Sequence, residues 1–252
     1  MSTANPKIEG TCDARFAGVK ETFMENFADY DELGASVAVY LDGEPVVDMW
    51  GGFRDAGRTK PWTKDTLCAS FSVSKAFVSV MGHMLIDRGL LDIEKPVAHY
   101  WPEFAQNGKA DVTVRDIFEP RAALAYVDAD LQPGDIYDWE TMTTALAESA
   151  RHAPFGDQPT YLNLTYGYLL GEVIRRIDGR TIGPFLREEI ARPLSIDFAF
   201  GLRDDQIARC ADIVPEVPPA GADVPTPADM PALMKSMRGL AEGDDRFNIP
   251  AW

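Results

Sequence analysis

A hydroxyl and an amine stand three residues apart in Ser72-Val73-Ser74-Lys75, at the head of a strongly apolar segment. On a helix that spacing puts both side chains on one face. A serine hydroxyl is a weak nucleophile until a neighbouring base takes its proton. Lysine can be that base when burial lowers its pKa toward neutrality. The first turn of a helix adds free backbone N–H groups and the positive end of the dipole, both suited to a developing oxyanion. The same four residues would also suit a solvated helix start, so the surroundings decide. Leu67-Cys68-Ala69-Ser70-Phe71 leads in, and Ala76, Phe77, Val80, Met81, Met84 and Leu85 form an apolar stripe behind. A lysine in such company is expected in a dry pocket.

Other chemistries find little support. The chain has no Gly-x-Ser-x-Gly elbow, phosphate loop or dinucleotide fingerprint. His83, His99 and His152 are far apart, and Cys12, Cys68 and Cys210 follow no ligand or disulfide spacing. Neither metal nor cofactor is implied. A net charge of −16 disfavours nucleic acid and anionic lipid as partners. Met1 to Lys7 shows no signal-peptide pattern, and no apolar run is long enough to span a bilayer. A cytoplasmic location is expected. Trp101, Tyr126 and Trp139 could line an acyl pocket or simply pack.

The positioning elements are legible from periodicity. Residues 13–29 space Phe16, Val19, Phe23 and Phe27 as an amphipathic helix. Two β-rich runs flank Asp42-Gly43, a strong hairpin signal. Residues 51–66 are expected as loop, 73–88 as the nucleophile helix closed by Gly89, and 90–104 as packed loop. Thr113 and Asp116 form a capping-box pattern before a short helix. Helices are expected at 138–150, capped by Asp138, at 165–178, closed by Gly179, and from Thr181 to just before Pro193. Phe198–Leu202 suits a short strand. Residues 215–231 hold six prolines and are expected as an extended loop.

Several of these motifs together resemble the β-lactamase-related serine hydrolases. They are Ser72-Val-Ser-Lys75, Asp87-Arg-Gly-Leu-Leu-Asp92, Pro96-Val-Ala-His-Tyr-Trp-Pro-Glu-Phe104, Thr113-Val-Arg-Asp-Ile117, Leu164-Thr-Tyr-Gly-Tyr-Leu-Leu-Gly-Glu-Val173, Phe185-Leu-Arg-Glu-Glu-Ile190 and Pro193-Leu194. Within that group the chain is similar to the family VIII carboxylesterases, relatives of class C β-lactamases and penicillin-binding proteins. The resemblance, which covers residues 10–210, implies an α/β, β-lactamase/transpeptidase-like fold: an antiparallel sheet with flanking helices plus a helical subdomain. It divides the chain into an incomplete β-lactamase-like domain at 1–214 and a Pro-rich tail at 215–252. Residues 1–72 would carry the helix and hairpin, and 73–197 the mainly helical region.

The resemblance also implies roles. Tyr161-Leu162-Asn163 fits the family's second motif, making Tyr161 the partner of Ser72 and Lys75 in proton transfer. Asn163 is either a substrate hydrogen-bonder or part of a helix N-cap. Tyr126 is a substrate-pocket candidate. The implied activity is hydrolysis of a small ester, or an amide or β-lactam, through an acyl-enzyme on Ser72. The alternatives are an acyltransferase with the same site, or a catalytically impaired truncated homologue.

Two departures stand out. Relatives carry a His-x-x-Gly-Leu turn where this chain has Pro120-Arg-Ala-Ala-Leu124, so Ala123 is expected to refuse the positive φ of a glycine. The family's third motif, with its sheet strands and second oxyanion donor, finds no match after Pro215.

Overall fold

The computed structural model describes residues 6–152 and 158–214. These fall into two compact units, 6–69 with 203–214, and 70–202.

In the first unit, β1 (Ile8–Cys12) is followed by a 3-10 turn and α1 (Ala17–Asp29), then β2 (Gly34–Leu41) and β3 (Glu44–Gly52). The sheet is antiparallel in the order β1-β3-β2. Asp42 and Gly43 both take positive φ, as the two-residue hairpin turn requires. Phe23 of α1 closes over Val47 and Met49 of β3, with Val19 and Phe27 beside it, so the expected amphipathic face is the one used. The strand β1 adds to the hairpin anticipated from sequence. Its signal is masked by Gly10, which sits at φ +104 with its Cα hard against the β3 backbone: a Cβ there would lie 2.0 Å from Asp48 O. Residues 53–66 are loop apart from one bridge, Phe53 to Pro61, and a short helix spans Asp204–Ile207.

The second unit is helical. Its long helices are α2 (Ser74–Asp87), α5 (Trp139–Glu148) and α6 (Thr165–Asp178). Short ones intervene: α3 (Val97–Tyr100), α4 (Val114–Phe118) and α7 (Ile182–Leu186). α2 packs chiefly on α6. Leu169, Leu170, Val173 and Ile174 of α6 are buried, as their spacing predicts, and Gly179 ends the helix in the left-handed conformation. The Thr113–Asp116 capping box is present in both directions, and Asp138 accepts from the Thr141 amide.

Four local expectations are revised. α2 is apolar on nearly every side, so its buried face was ambiguous. It buries Val78, Met81, Gly82 and Leu85, while Val80 is 46% exposed. Residues 90–104 carry α3 and a 3-10 turn at Pro102–Ala105. The helix after Thr181 does not stop before Pro193. It passes through a π turn, Arg187–Ala191, into Arg192–Leu194. The wider turn has already replaced the bond four residues back, so a proline without an N–H is tolerated there. Phe198–Leu202 forms no strand ladder; Phe198 stacks on Phe77 at 4.0 Å and packs with Phe200 on the helical core. Residues 215–252, including the expected Pro-rich tail, lie outside the described residues. Among the described residues no helix is long and apolar enough to cross a membrane.

Candidate active site

Ser72 lies in a 3-10 turn, Phe71–Val73, that runs straight into α2. Lys75 is one turn on, and its Nζ donates to Ser72 Oγ at 3.0 Å. Tyr161 reaches the same atom from the segment before α6, its hydroxyl 2.5 Å from Ser72 Oγ. The Lys75 Nζ lies 4.9 Å from the Tyr161 ring centroid. Three groups from two sequence regions, 89 residues apart at their widest, therefore meet on one oxygen.

The Tyr161 segment is held from several sides. Leu162 is buried in the core beside it. The Thr160 amide donates to Pro120 O at 2.7 Å, and Thr165 Oγ1 to Leu124 O at 2.7 Å. The 120–124 loop is thus the buttress for Tyr161. Within it Ala123 is buried and takes φ +56, with its carbonyl accepting from the His152 amide at 2.8 Å. The expectation that alanine would refuse this conformation is overturned. Packing and the bonds on both sides outweigh a left-handed penalty of about 1–2 kcal/mol. Phe71, next to the nucleophile, is also in the left-handed region, at φ +43.

The electrostatics shift the Tyr161 phenol downward. Its phenol is drawn below the usual tyrosine value by the hydrogen bond with Ser72. Partial desolvation opposes this, and the bond and charge of Lys75 reinforce it. The Ser72 amide has no partner among the described residues, while the amides of Val73 and Ser74 are both used. That leaves one N–H free to receive a developing oxyanion. The expected dryness is not formed by the described residues. Ser72 is exposed, Tyr161 is 60% exposed and Lys75 is half-buried.

Asn163 is half-buried, one residue outside the α6 N-cap, which is Leu164 and makes no side-chain cap bond. Tyr126 stacks on buried His152, centroids 3.6 Å apart. Trp101 is core, and Trp139 donates its indole N–H to Glu172, so both serve packing. His83 and His99 lie against Phe118 and Tyr100. No group of side chains suited to a metal ion occurs among the described residues. Sequence inspection missed Ser79 and Tyr166, whose hydroxyls lie 2.6 Å apart between α2 and α6. Their signal was present: Ser72, Lys75 and Ser79 follow the spacing of one helical face.

This arrangement of sheet and helices is that of the β-lactamase/transpeptidase-like fold. The chain belongs to the beta-lactamase family, whose model matches residues 19–248. That match extends beyond residue 210, where the motif resemblance ended. The esterase/beta-lactamase LipL of Mycobacterium tuberculosis (strain ATCC 25618 / H37Rv) is 39% identical over 194 residues, covering 77% of this chain and 45% of LipL. A penicillin-binding protein homologue from Caulobacter crescentus superposes with a TM-score of 0.83 at 39% identity, over 96% of this chain and 65% of that one. A family VIII carboxylesterase gives a TM-score of 0.82 at 34% identity, over 98% and 65%. The chain thus spans under half the length of LipL and about two thirds of these two structures.

Proposed function

We propose that this protein is a serine hydrolase that cleaves small esters through an acyl-enzyme on Ser72. The carrying observation is the convergence of Lys75 Nζ and Tyr161 OH on Ser72 Oγ. In this reading the Tyr161 phenolate takes the Ser72 proton as Oγ attacks the ester carbonyl carbon. The Lys75 ammonium, bonded to the same oxygen, stabilises the phenolate and holds the nucleophile in place. Negative charge gathers on the carbonyl oxygen, where the free Ser72 amide donates. The intermediate collapses, Tyr161 returns its proton to the departing alkoxide, and the acyl group stays on Ser72. Water, deprotonated by Tyr161, then releases the acid and restores the serine. The family likeness to LipL and to a carboxylesterase supports ester chemistry. Asn163 and Tyr126 are assigned to substrate contact.

The test is hydrolysis of short- and medium-chain p-nitrophenyl esters beside a β-lactam reporter, with stoichiometric fluorophosphonate labelling. Activity and label should both vanish in Ser72→Ala. A folded protein that takes no label refutes the assignment. The exposure of Ser72 and Tyr161 also leaves the acyl group open to an alcohol. Product partition with an added alcohol measures acyl transfer against hydrolysis.

A further inference from the structure

We infer that Ser79 and Tyr166 are positioning residues that lock α2 to α6 and so set the distance between Tyr161 and the Ser72–Lys75 pair. This inference rests on the hydrolase reading above.

Ser72, Lys75 and Ser79 occupy the i, i+3 and i+7 places of one helical face, a polar line along a largely apolar helix. Ser79 is therefore about 10 Å along the axis from Ser72. Tyr166 is the second residue of α6, five residues after Tyr161. The two hydroxyls meet at 2.6 Å, with Ser79 half-buried and Tyr166 5% exposed. One turn further along α2, Gly82 lets Leu170 and Phe118 come close. A Cβ there would lie 3.6 Å from Leu170 Cδ1 and 2.7 Å from Phe118 Cζ. The tight contact at Gly82 is thus with Phe118 of α4, while Leu170 of α6 is at ordinary packing distance, and apolar packing of this kind is not directional. The Ser79–Tyr166 bond is directional, and it lies in the half of each helix nearer the cluster.

The two tyrosines are also driven in opposite directions. Burial raises the Tyr166 phenol, with the bond to Ser79 opposing, whereas Tyr161 is lowered by Ser72. Tyr166 therefore stays neutral and serves as a pin, not a second base. Release of the pin would let the Tyr161 segment drift from Ser72 Oγ and Lys75, and a misplacement on the order of 1 Å costs about 100-fold in rate.

The experiment uses the full chain and follows fluorophosphonate labelling of Ser72 from neutral to alkaline pH. Wild type is compared with Ser79→Ala, Tyr166→Phe, the double variant and Ser79→Thr, and circular dichroism gives the folded fraction of each. The expected result is labelling slowed about 10- to 100-fold in both single variants. Its alkaline inflection should move up toward the free tyrosine value of about 10. The double variant should be no slower than the worse single one, and Ser79→Thr should recover the rate. If labelling falls only with the folded fraction while the inflection stays put, the pair is ordinary packing and the inference is overturned. A wild type that takes no label brings down the hydrolase reading and this inference together; a wild type that labels beside variants that label identically brings down this inference alone.

Discussion

Replacing Glu172 with glutamine should destabilise the helical unit without touching the candidate nucleophile. The carboxylate is 1% exposed and lies on α6, facing α5. It accepts from Arg175 Nε at 2.7 Å and Nη2 at 2.8 Å, Arg176 Nε at 2.7 Å and Trp139 Nε1 at 2.8 Å. A glutamine side chain would present an amide donor where all the neighbours are donors. Removing one partner of a buried ion pair costs about 3–5 kcal/mol. The side chains of Arg175 and Arg176 are 38% and 26% exposed and so retain access to water. That brings the cost just below this range, to about 2–3 kcal/mol. For a chain of this size it corresponds to a fall in melting temperature of about 5–10 °C. Burial pushes the Glu172 carboxyl up, but the bonds from Arg175, Trp139 and Arg176 outweigh it and hold the group below the usual carboxylate range. Its stabilisation is therefore complete above the unfolded carboxylate value and is lost as pH falls through the lowered folded one. Thermal melts followed by near-ultraviolet circular dichroism should show the full gap between wild type and Glu172→Gln at neutral pH. The gap should close progressively below about pH 4. Equal melting at neutral pH, or a gap that persists unchanged in acid, would refute this account.

Three further outcomes are expected. Tyr161→Phe should slow fluorophosphonate labelling by about 100- to 10,000-fold while melting as wild type, because the ring is 60% exposed; in the wild type the labelling rate should rise with pH through an inflection below that of free tyrosine, since the proposed mechanism uses the phenolate and the phenol is lowered by the bond with Ser72. Ala123→Gly should raise stability by about 0.5–1 kcal/mol in urea titration, by releasing a left-handed alanine at some entropic cost; a lower midpoint would show that the buried methyl matters more. Lys109→Met should cost about 2–4 kcal/mol in the same titration, because the fully buried amine donates to the carbonyls of Gln106, Ala147 and Ser149, which would be left without it.

Features that depend on a few neighbouring residues were legible in the sequence. Asp42-Gly43 makes its turn because both residues tolerate positive φ, and the Thr113–Asp116 box closes because each side chain reaches a backbone group three residues away. Leu169, Leu170, Val173 and Ile174 could face only one way on an otherwise polar helix. The buried side of α2 was not legible, since apolar residues lie on most of its faces. Nor was the strand β1, which pairs through Gly10 with a segment far along the chain.

The local sequence by itself determined that Ser72 and Lys75 share a helical turn, because i, i+3 geometry needs no partner. The family resemblance pointed to Tyr161, but only the tertiary structure brings its hydroxyl onto Ser72 Oγ, bends Ala123 beside its segment and sets Ser79 against Tyr166. Each of these depends on the energy of packing one distant segment against another. Such an energy belongs to the pair of surfaces and is carried by neither segment alone.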